Sequence, residues 1–127
     1  MVNDPISDFL VRLQNASMVG HTSVTLPFSA IKSAIAKILE REGYLASVSK
    51  RNNSLVVGLS YAATGRPAIN GVKRISKPSR RMYVGVRDVQ PVKRGAGLLV
   101  LSTPAGVVTG KEAREKRVGG EALFEIW

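Results

Sequence analysis

The side chains best equipped for chemistry in this sequence are cations, and they are bunched. Lys73, Arg74, Lys77, Arg80, Arg81, Arg87, Lys93 and Arg94 follow one another with β-prone residues between them, and Tyr83 stands inside the run. From Arg66 to Arg94 nine basic residues meet a single acid, Asp88. A solvated surface is the ordinary fate of a charge run. A run without compensating acid and with an aromatic ring inside it has instead the make-up of a nucleic-acid contact. Its lysines and arginines would neutralise phosphates, giving affinity and salt sensitivity but little sequence choice. The Tyr83 ring would stack on a base or sugar while its hydroxyl bonds a ribose.

Groups suited to other chemistry stand alone. His21 is the only histidine and there is no cysteine, so a zinc site of ordinary ligand count cannot be assembled, and disulfides and thiolate nucleophiles are excluded. Ser102 lacks any sequence cue that brings a base to it. Gly95 and Gly97 lack the third glycine and following helix of a dinucleotide loop. Gly110 and Lys111 imitate the end of a phosphate loop, but Glu112 stands where a magnesium-binding hydroxyl belongs; Thr109 and Glu112 instead spell a helix capping box. The expectation is a protein without cofactor, metal or small-molecule substrate, and not an enzyme.

If cations supply affinity, uncharged and acidic groups must supply selectivity. Two segments have the right make-up for it. One is Ser102 with the Thr103 to Gly106 turn, and the other is Gly119, Gly120 and Glu121. Small hydroxyls and bare glycine backbone approach ribose hydroxyls and base edges closely. A carboxylate beside RNA is repelled by phosphate, so Glu121 either accepts protons from base amino or imino groups or braces the turn from within.

The elements that must position these groups follow from periodicity. The 127 residues suffice for one domain or two small lobes, and a hydrophobic share of 44% supports a buried core. The net charge of +10 is lopsided: residues 1 to 61 carry six basic and four acidic side chains, residues 62 to 127 thirteen and five. The partner should therefore touch mainly the second half. Asp4 and Pro5 signal a helix start, with Ile6, Phe9, Leu10 and Leu13 on its buried face and Gly20 beyond its end. Thr22 to Leu26 alternates as a strand stopped by Pro27. Ser29 caps a second helix whose buried stripe is Ile31, Ala34, Ile35, Ile38 and Leu39, with Gly43 as its exit. Tyr44 to Lys50 and Leu55 to Tyr61 read as a hairpin.

The resulting expectation is an α+β protein of two lobes: residues 1–65 as α-β-α-β-β, and 66–127 as a mostly β, RNA-binding lobe with one short helix. In that second lobe strands are expected at Val72 to Ile75, Arg81 to Val86, Leu98 to Ser102, Val107 to Val108 and Glu121 to Trp127. A helix runs from the capping box to Arg117, ended by Gly119 and Gly120. The amino terminus shows neither a basic leader nor an apolar stretch, and no run reaches the roughly 20 apolar residues of a bilayer crossing, so the expected location is the cytoplasm, with no membrane partner.

Asp4 to Asp8, Arg12 to Asn15, Ser76 to Pro78 with Arg81 and Tyr83, Gly95 to Gly97 before Ser102 and Thr103, Gly106 to Thr109 with Glu112 to Arg114, and Gly119 to Glu121 with Trp127 occur in order. Together they resemble the bacterial small-subunit ribosomal protein S8 family, from Asp4 to Trp127. The resemblance implies a primary binder of the central domain of small-subunit ribosomal RNA, located on the ribosome, supporting its assembly beside neighbouring small-subunit ribosomal proteins. It also implies, for some members, binding of their own messenger RNA. Carried over by motif, the main contacts are Ser102, Thr103, Gly106, Gly119, Gly120, Glu121 and Tyr83, with Lys77, Arg80 and Arg81 on nearby backbone; Asn15, Ser29 and Lys32 are lesser contacts from the amino-terminal lobe. Pro104 and Ala105 depart from the family's third hydroxyl and following basic residue, which removes a hydrogen bond and a charge from the turn. Phe124 replaces a common cysteine at a core position.

Two other classes compete with this reading. A general nucleic-acid-binding regulator would show comparable affinity for DNA and unrelated duplexes, and a small hydrolase would need a pocket with a coupled base. If cations and selective groups divide the labour, Glu121→Ala and Thr103→Ala reduce preference for the cognate RNA, whereas Arg81→Ala weakens all RNAs alike.

Overall fold

The computed structural model describes residues 4–89 and 97–127. Lys93, Arg94 and the Gly95–Ala96 part of the expected turn lie outside them. The chain is α+β, with two compact units, Pro5–Asn70 and Gly71–Trp127, the latter including Asp4.

In the first unit α1 (Pro5–Met18) and α2 (Ala30–Arg41) accompany a three-stranded antiparallel sheet of β1 (Ser23–Pro27), β2 (Leu45–Arg51) and β3 (Ser54–Leu59), ordered β1-β3-β2. Alternation along β1 and β3 buries Val24, Leu26, Leu55, Val57 and Leu59, which with Phe9, Leu10, Leu13, Ile35 and Leu39 make up the core. The α2 stripe is displaced slightly from expectation. Ala36 and Lys32 are buried, while Ile31 and Ala34 are only half covered. Ser29 caps α2 by accepting from the Lys32 amide, and Asn52 supplies the positive φ, 55°, that the β2–β3 turn requires.

The second unit is built on one five-stranded sheet. β4 (Val72–Arg74) and β5 (Tyr83–Val84) both pair with β8 (Gly120–Ile126); β8 pairs in turn with β6 (Leu98–Thr103), and β6 with β7 (Gly106–Thr109). The strand expected over Arg81 to Val86 is only two residues long, because β8 begins at Gly120, the partner of Val84, and offers nothing further to pair with. A single 3₁₀ turn at Val86–Asp88 follows. The helix α3 (Gly110–Lys116) begins with the capping box: Thr109 accepts from the Glu112 amide at 3.2 Å and Glu112 accepts from the Thr109 amide at 3.1 Å. Thr109 is 1% exposed. Thr109→Ala is expected to lower stability by about 1–2 kcal/mol, read as a shift of the urea midpoint without a change of slope.

A register shift decides which way the second unit's side chains face. Val100 pairs with Phe124 but Leu101 pairs with Ala122, so β8 carries one extra residue, Leu123. Adjacent residues of β6 point to opposite faces. Leu101 therefore packs with Val89, Val108 and Ala113 on the side of α3, while Val100 and Phe124, both fully buried, lie on the other side. The bulge also separates two carboxylates that regular spacing would put on one face. Glu121, opposite Ser102, faces away from α3, and Glu125, opposite Leu99, faces toward it.

Candidate nucleic-acid interface

Three strands bring residues far apart in sequence into one row. Tyr83 on β5 is opposite Glu121 on β8, and Glu121 is opposite Ser102 on β6. Paired residues in a sheet share a face, so all three are presented together on the side turned from α3. Tyr83 is 70% exposed. The Ser102 hydroxyl makes no hydrogen bond to any described residue and is half covered.

Glu121 sits at the centre of the row with its side chain 18% exposed. The Ser76 hydroxyl donates to its Oε2 at 2.5 Å and Arg81 Nη1 donates to the same oxygen at 2.9 Å. Ser76, fully buried, in turn accepts from the Met82 amide at 3.0 Å. Burial pushes the Glu121 carboxyl up, but the hydrogen bonds from Ser76 and Arg81, with the charges of Arg81 and Arg74, outweigh it and hold the group below its ordinary value. Of the two readings open for Glu121, the bracing one describes Oε2. Both of these bonds converge on that oxygen.

Gly119 and Gly120 lie beside this row for a reason different from the expected one. The helix α3 stops where expected but without either glycine: Arg117 caps it in the left-handed conformation at φ 54°, and the Val118 amide returns to the Ala113 carbonyl. A Cβ on Gly119 would drive into the Val84 carbonyl oxygen and lie 3.0 Å from Gly85 Cα; one on Gly120 would drive into the Ser102 carbonyl oxygen and lie 2.9 Å from Thr103 Cγ2. The two glycines let β5 and β6 close on β8.

At the end of the row, the β6–β7 hairpin is braced by Thr103. Its hydroxyl donates to the Gly106 carbonyl at 2.8 Å and accepts from the Ala105 amide at 3.1 Å, and Gly106 adopts φ 105°. The only proton of the Thr103 hydroxyl is thus committed to the turn. Pro104 and Ala105 are exposed at the tip.

The cations divide into two sorts. Lys77 and Arg80 are exposed at the ends of a tight turn, each amide bonded to the other's carbonyl. With Lys73, Met82 and Glu125 they line a cleft of about 390 Å³. Arg74 is of the other sort: its side chain is 8% exposed, paired with Asp4 at 3.3 Å and donating to the Leu123 carbonyl at 2.5 Å. Its charge serves the fold. Arg81 is half exposed and divided between the two roles. Of the amino-terminal candidates, all in the first unit, Asn15 is exposed, Ser29 is half covered at the cap of α2, and Lys32 is 8% exposed. Ser76 was missing from the expected site residues. Its sequence signals were its place in the Ser76 to Pro78 motif and a small hydroxyl next to the turn, and its bonding to a residue 45 positions away shows only in the fold.

Among the described residues no group of histidine, cysteine, aspartate and glutamate is arranged to hold a metal ion, and no helix is long and apolar enough to cross a membrane. The model of the family described as ribosomal protein S8 matches residues 4–127. The chain belongs to the ribosomal protein S8 family. It is accordingly a structural, non-enzymatic component of the ribosome. Among its relatives, the small ribosomal subunit protein uS8 of Nitratidesulfovibrio vulgaris (strain Miyazaki F) is 46% identical over the whole of both chains. That of Oleidesulfovibrio alaskensis is 47% identical, again over the whole of both. The Roseiflexus castenholzii protein of the same name is 46% identical over 99% of this chain and 98% of its own.

Proposed function

We infer that this chain binds the central domain of small-subunit ribosomal RNA through its carboxy-terminal unit and stabilises that region as the subunit assembles in the cytoplasm. The observation that carries the reading is the row Tyr83, Glu121, Ser102, which places a stacking ring, a fixed carboxylate and an uncommitted hydroxyl side by side. The exposed Tyr83 ring stacks on an unpaired base. Ser102 donates to a ribose hydroxyl or base edge. Glu121, held ionised by Ser76 and Arg81, keeps the row in place and turns its second oxygen to donors on the RNA. The backbones of Gly119, Gly120 and Gly106 and the remaining lone pair of Thr103 complete the contact, with Pro104 fixing the hairpin tip.

Lys77 and Arg80 supply phosphate contacts from the neighbouring turn, and Lys73 belongs with them. Asn15 and Ser29 add lesser contacts from the first unit, and Lys32 reaches phosphate only by turning outward from its packed position. Neighbouring small-subunit proteins are further partners, and an RNA fold in the chain's own messenger that mimics the ribosomal site would be recognised by the same row.

Filter binding of the central-domain fragment against a scrambled duplex over a salt series tests this reading. A preference that survives rising salt supports it, because phosphate contacts fade equally on both RNAs; equal affinity throughout refutes it. In the same assay Tyr83→Ala is expected to cost roughly ten- to a hundredfold on the cognate fragment, the worth of about 1–3 kcal/mol for one stacked base. The urea midpoint should stay put, since the ring is exposed. Lys77→Ala and Arg80→Ala should each flatten the salt dependence by about one phosphate on both RNAs. Arg81→Ala should differ from them and reduce preference as well, because Glu121 loses a partner.

A further inference from the structure

The first unit carries a strand edge with unused hydrogen-bonding groups. In the order β1-β3-β2, β1 is outermost. The Leu59 amide donates to the Thr22 carbonyl and the Phe28 amide to the Asn53 carbonyl, so Val24 and Leu26 also turn their backbone groups to β3. Ser23, Thr25 and Pro27 consequently turn theirs outward. Along this edge runs a cleft of about 520 Å³, bounded by Arg12, Asn15 and Ala16 of α1, by Val19 just beyond its end, and by Ser23 and Thr25.

Two of the outward groups are already blocked. Pro27 has no amide proton, and Arg12 Nη2 donates to the Thr25 carbonyl at 3.0 Å. The amides of Ser23 and Thr25 and the Ser23 carbonyl make no hydrogen bond to a described residue. Beside them Val19, which lines the cleft, stands 68% exposed in solvent. Among the described residues the lining carries one guanidinium and no carboxylate, and His21 is its only ring. A nucleic acid would find a single arginine here. A peptide strand would find donors, an acceptor and an apolar side wall.

We propose that this edge takes a short extended segment of a neighbouring protein as a fourth strand. The segment bonds Ser23 and Thr25 through its backbone, packs aliphatic side chains on Val19 and Ala16, and brings a carboxylate to Arg12. Addition of a strand to an open edge draws affinity from main-chain bonds and specificity from alternate side chains. Pro27 limits the ladder to about four residues by ending the supply of amide protons. The proposal rests on membership of a ribosomal protein family and is independent of the RNA contacts assigned to the second unit; Asn15, which bounds this cleft, can serve the strand or its lesser RNA contact but not both, and the RNA-only sample below separates the two.

The test is hydrogen exchange at single-residue resolution on three samples: the free protein, the protein with small-subunit ribosomal RNA alone, and the subunit reconstituted from that RNA and the total small-subunit proteins. Exchange at Ser23 and Thr25 is expected to slow by at least tenfold only in the third sample, with Val24 and Leu26, already bonded to β3, protected in all three. Fast exchange at Ser23 and Thr25 in the reconstituted subunit would overturn the proposal, as would slowing already complete with RNA alone, which would assign the cleft to nucleic acid. A benzophenone amino acid at position 19, whose exposure leaves the core untouched, gives a second measure. Crosslinking to protein in the reconstituted subunit supports the strand, and crosslinking to RNA only overturns it. Filter binding of the RNA fragment, read separately, fails or succeeds without bearing on either result.

Discussion

Gly120→Ala is expected to lower stability by about 3 kcal/mol, at the upper end of the usual cost of forcing extra atoms into a packed site, and to weaken cognate RNA binding at least tenfold. The added methyl meets the Ser102 carbonyl oxygen and sits 2.9 Å from Thr103 Cγ2. The obstructing oxygen is backbone in a paired strand, which cannot swing aside as the end of a flexible side chain does. Relief comes only from parting β6 from β8, and that displaces Ser102 from Glu121 and loosens the Thr103–Gly106 hairpin. Urea unfolding and filter binding on the same preparation check the two halves of this expectation. Full stability with full affinity would mean that the strands adjust at little cost.

Ser76→Ala should cost about 2–3 kcal/mol, since it leaves the Met82 amide without its acceptor and removes a hydrogen bond to a charged group. The same change should raise the Glu121 carboxyl toward its ordinary value, because a hydrogen bond that favours its charged form is gone. The sign of the pH dependence follows. Glu121 titrates in the folded protein below its unfolded value, so its contribution is present above the ordinary carboxyl range and is lost as pH falls through the lower, folded value. Wild type and Ser76→Ala should therefore differ by a constant amount at neutral pH, and the part of the gap due to Glu121 should close only in acid below that range. Carboxyl titration followed by NMR, with urea midpoints across the same pH series, checks both statements. An unchanged Glu121 titration in Ser76→Ala would remove Ser76 from the site. Cognate preference should fall as well, by severalfold, because the carboxylate is then held by Arg81 alone.

These two positions show where local reading stops. Ser76 and Glu121 are 45 residues apart, and Gly120 meets Ser102 from a different strand; no spacing rule reports such encounters. Gly119 and Gly120, expected to terminate a helix because glycine follows helices so often, are instead demanded by neighbouring backbone, while Arg117 takes the left-handed position itself. Arg74, one of a run of cations, differs from its neighbours in facing Asp4. A charge run counts cations but does not say which of them are already paired.

What the sequence determined by itself is whatever depends on neighbours a few residues apart. The α1 and α2 helices, the capping box at Thr109 and Glu112, the hairpin of β2 and β3 and the alternation of β1 belong to this class, as does the crowding of positive charge into the second half. The motifs that carry the family resemblance were legible too, because an ordered set of short motifs survives without knowledge of the fold. Only the tertiary structure decided the extra residue in β8 that sets Glu121 and Glu125 on opposite faces, the convergence of Ser76 and Arg81 on one carboxylate oxygen, and the open edge of β1. Each depends on strand order and register, which are set by packing between distant segments, and a one-residue shift there reverses the face on which every following side chain lies.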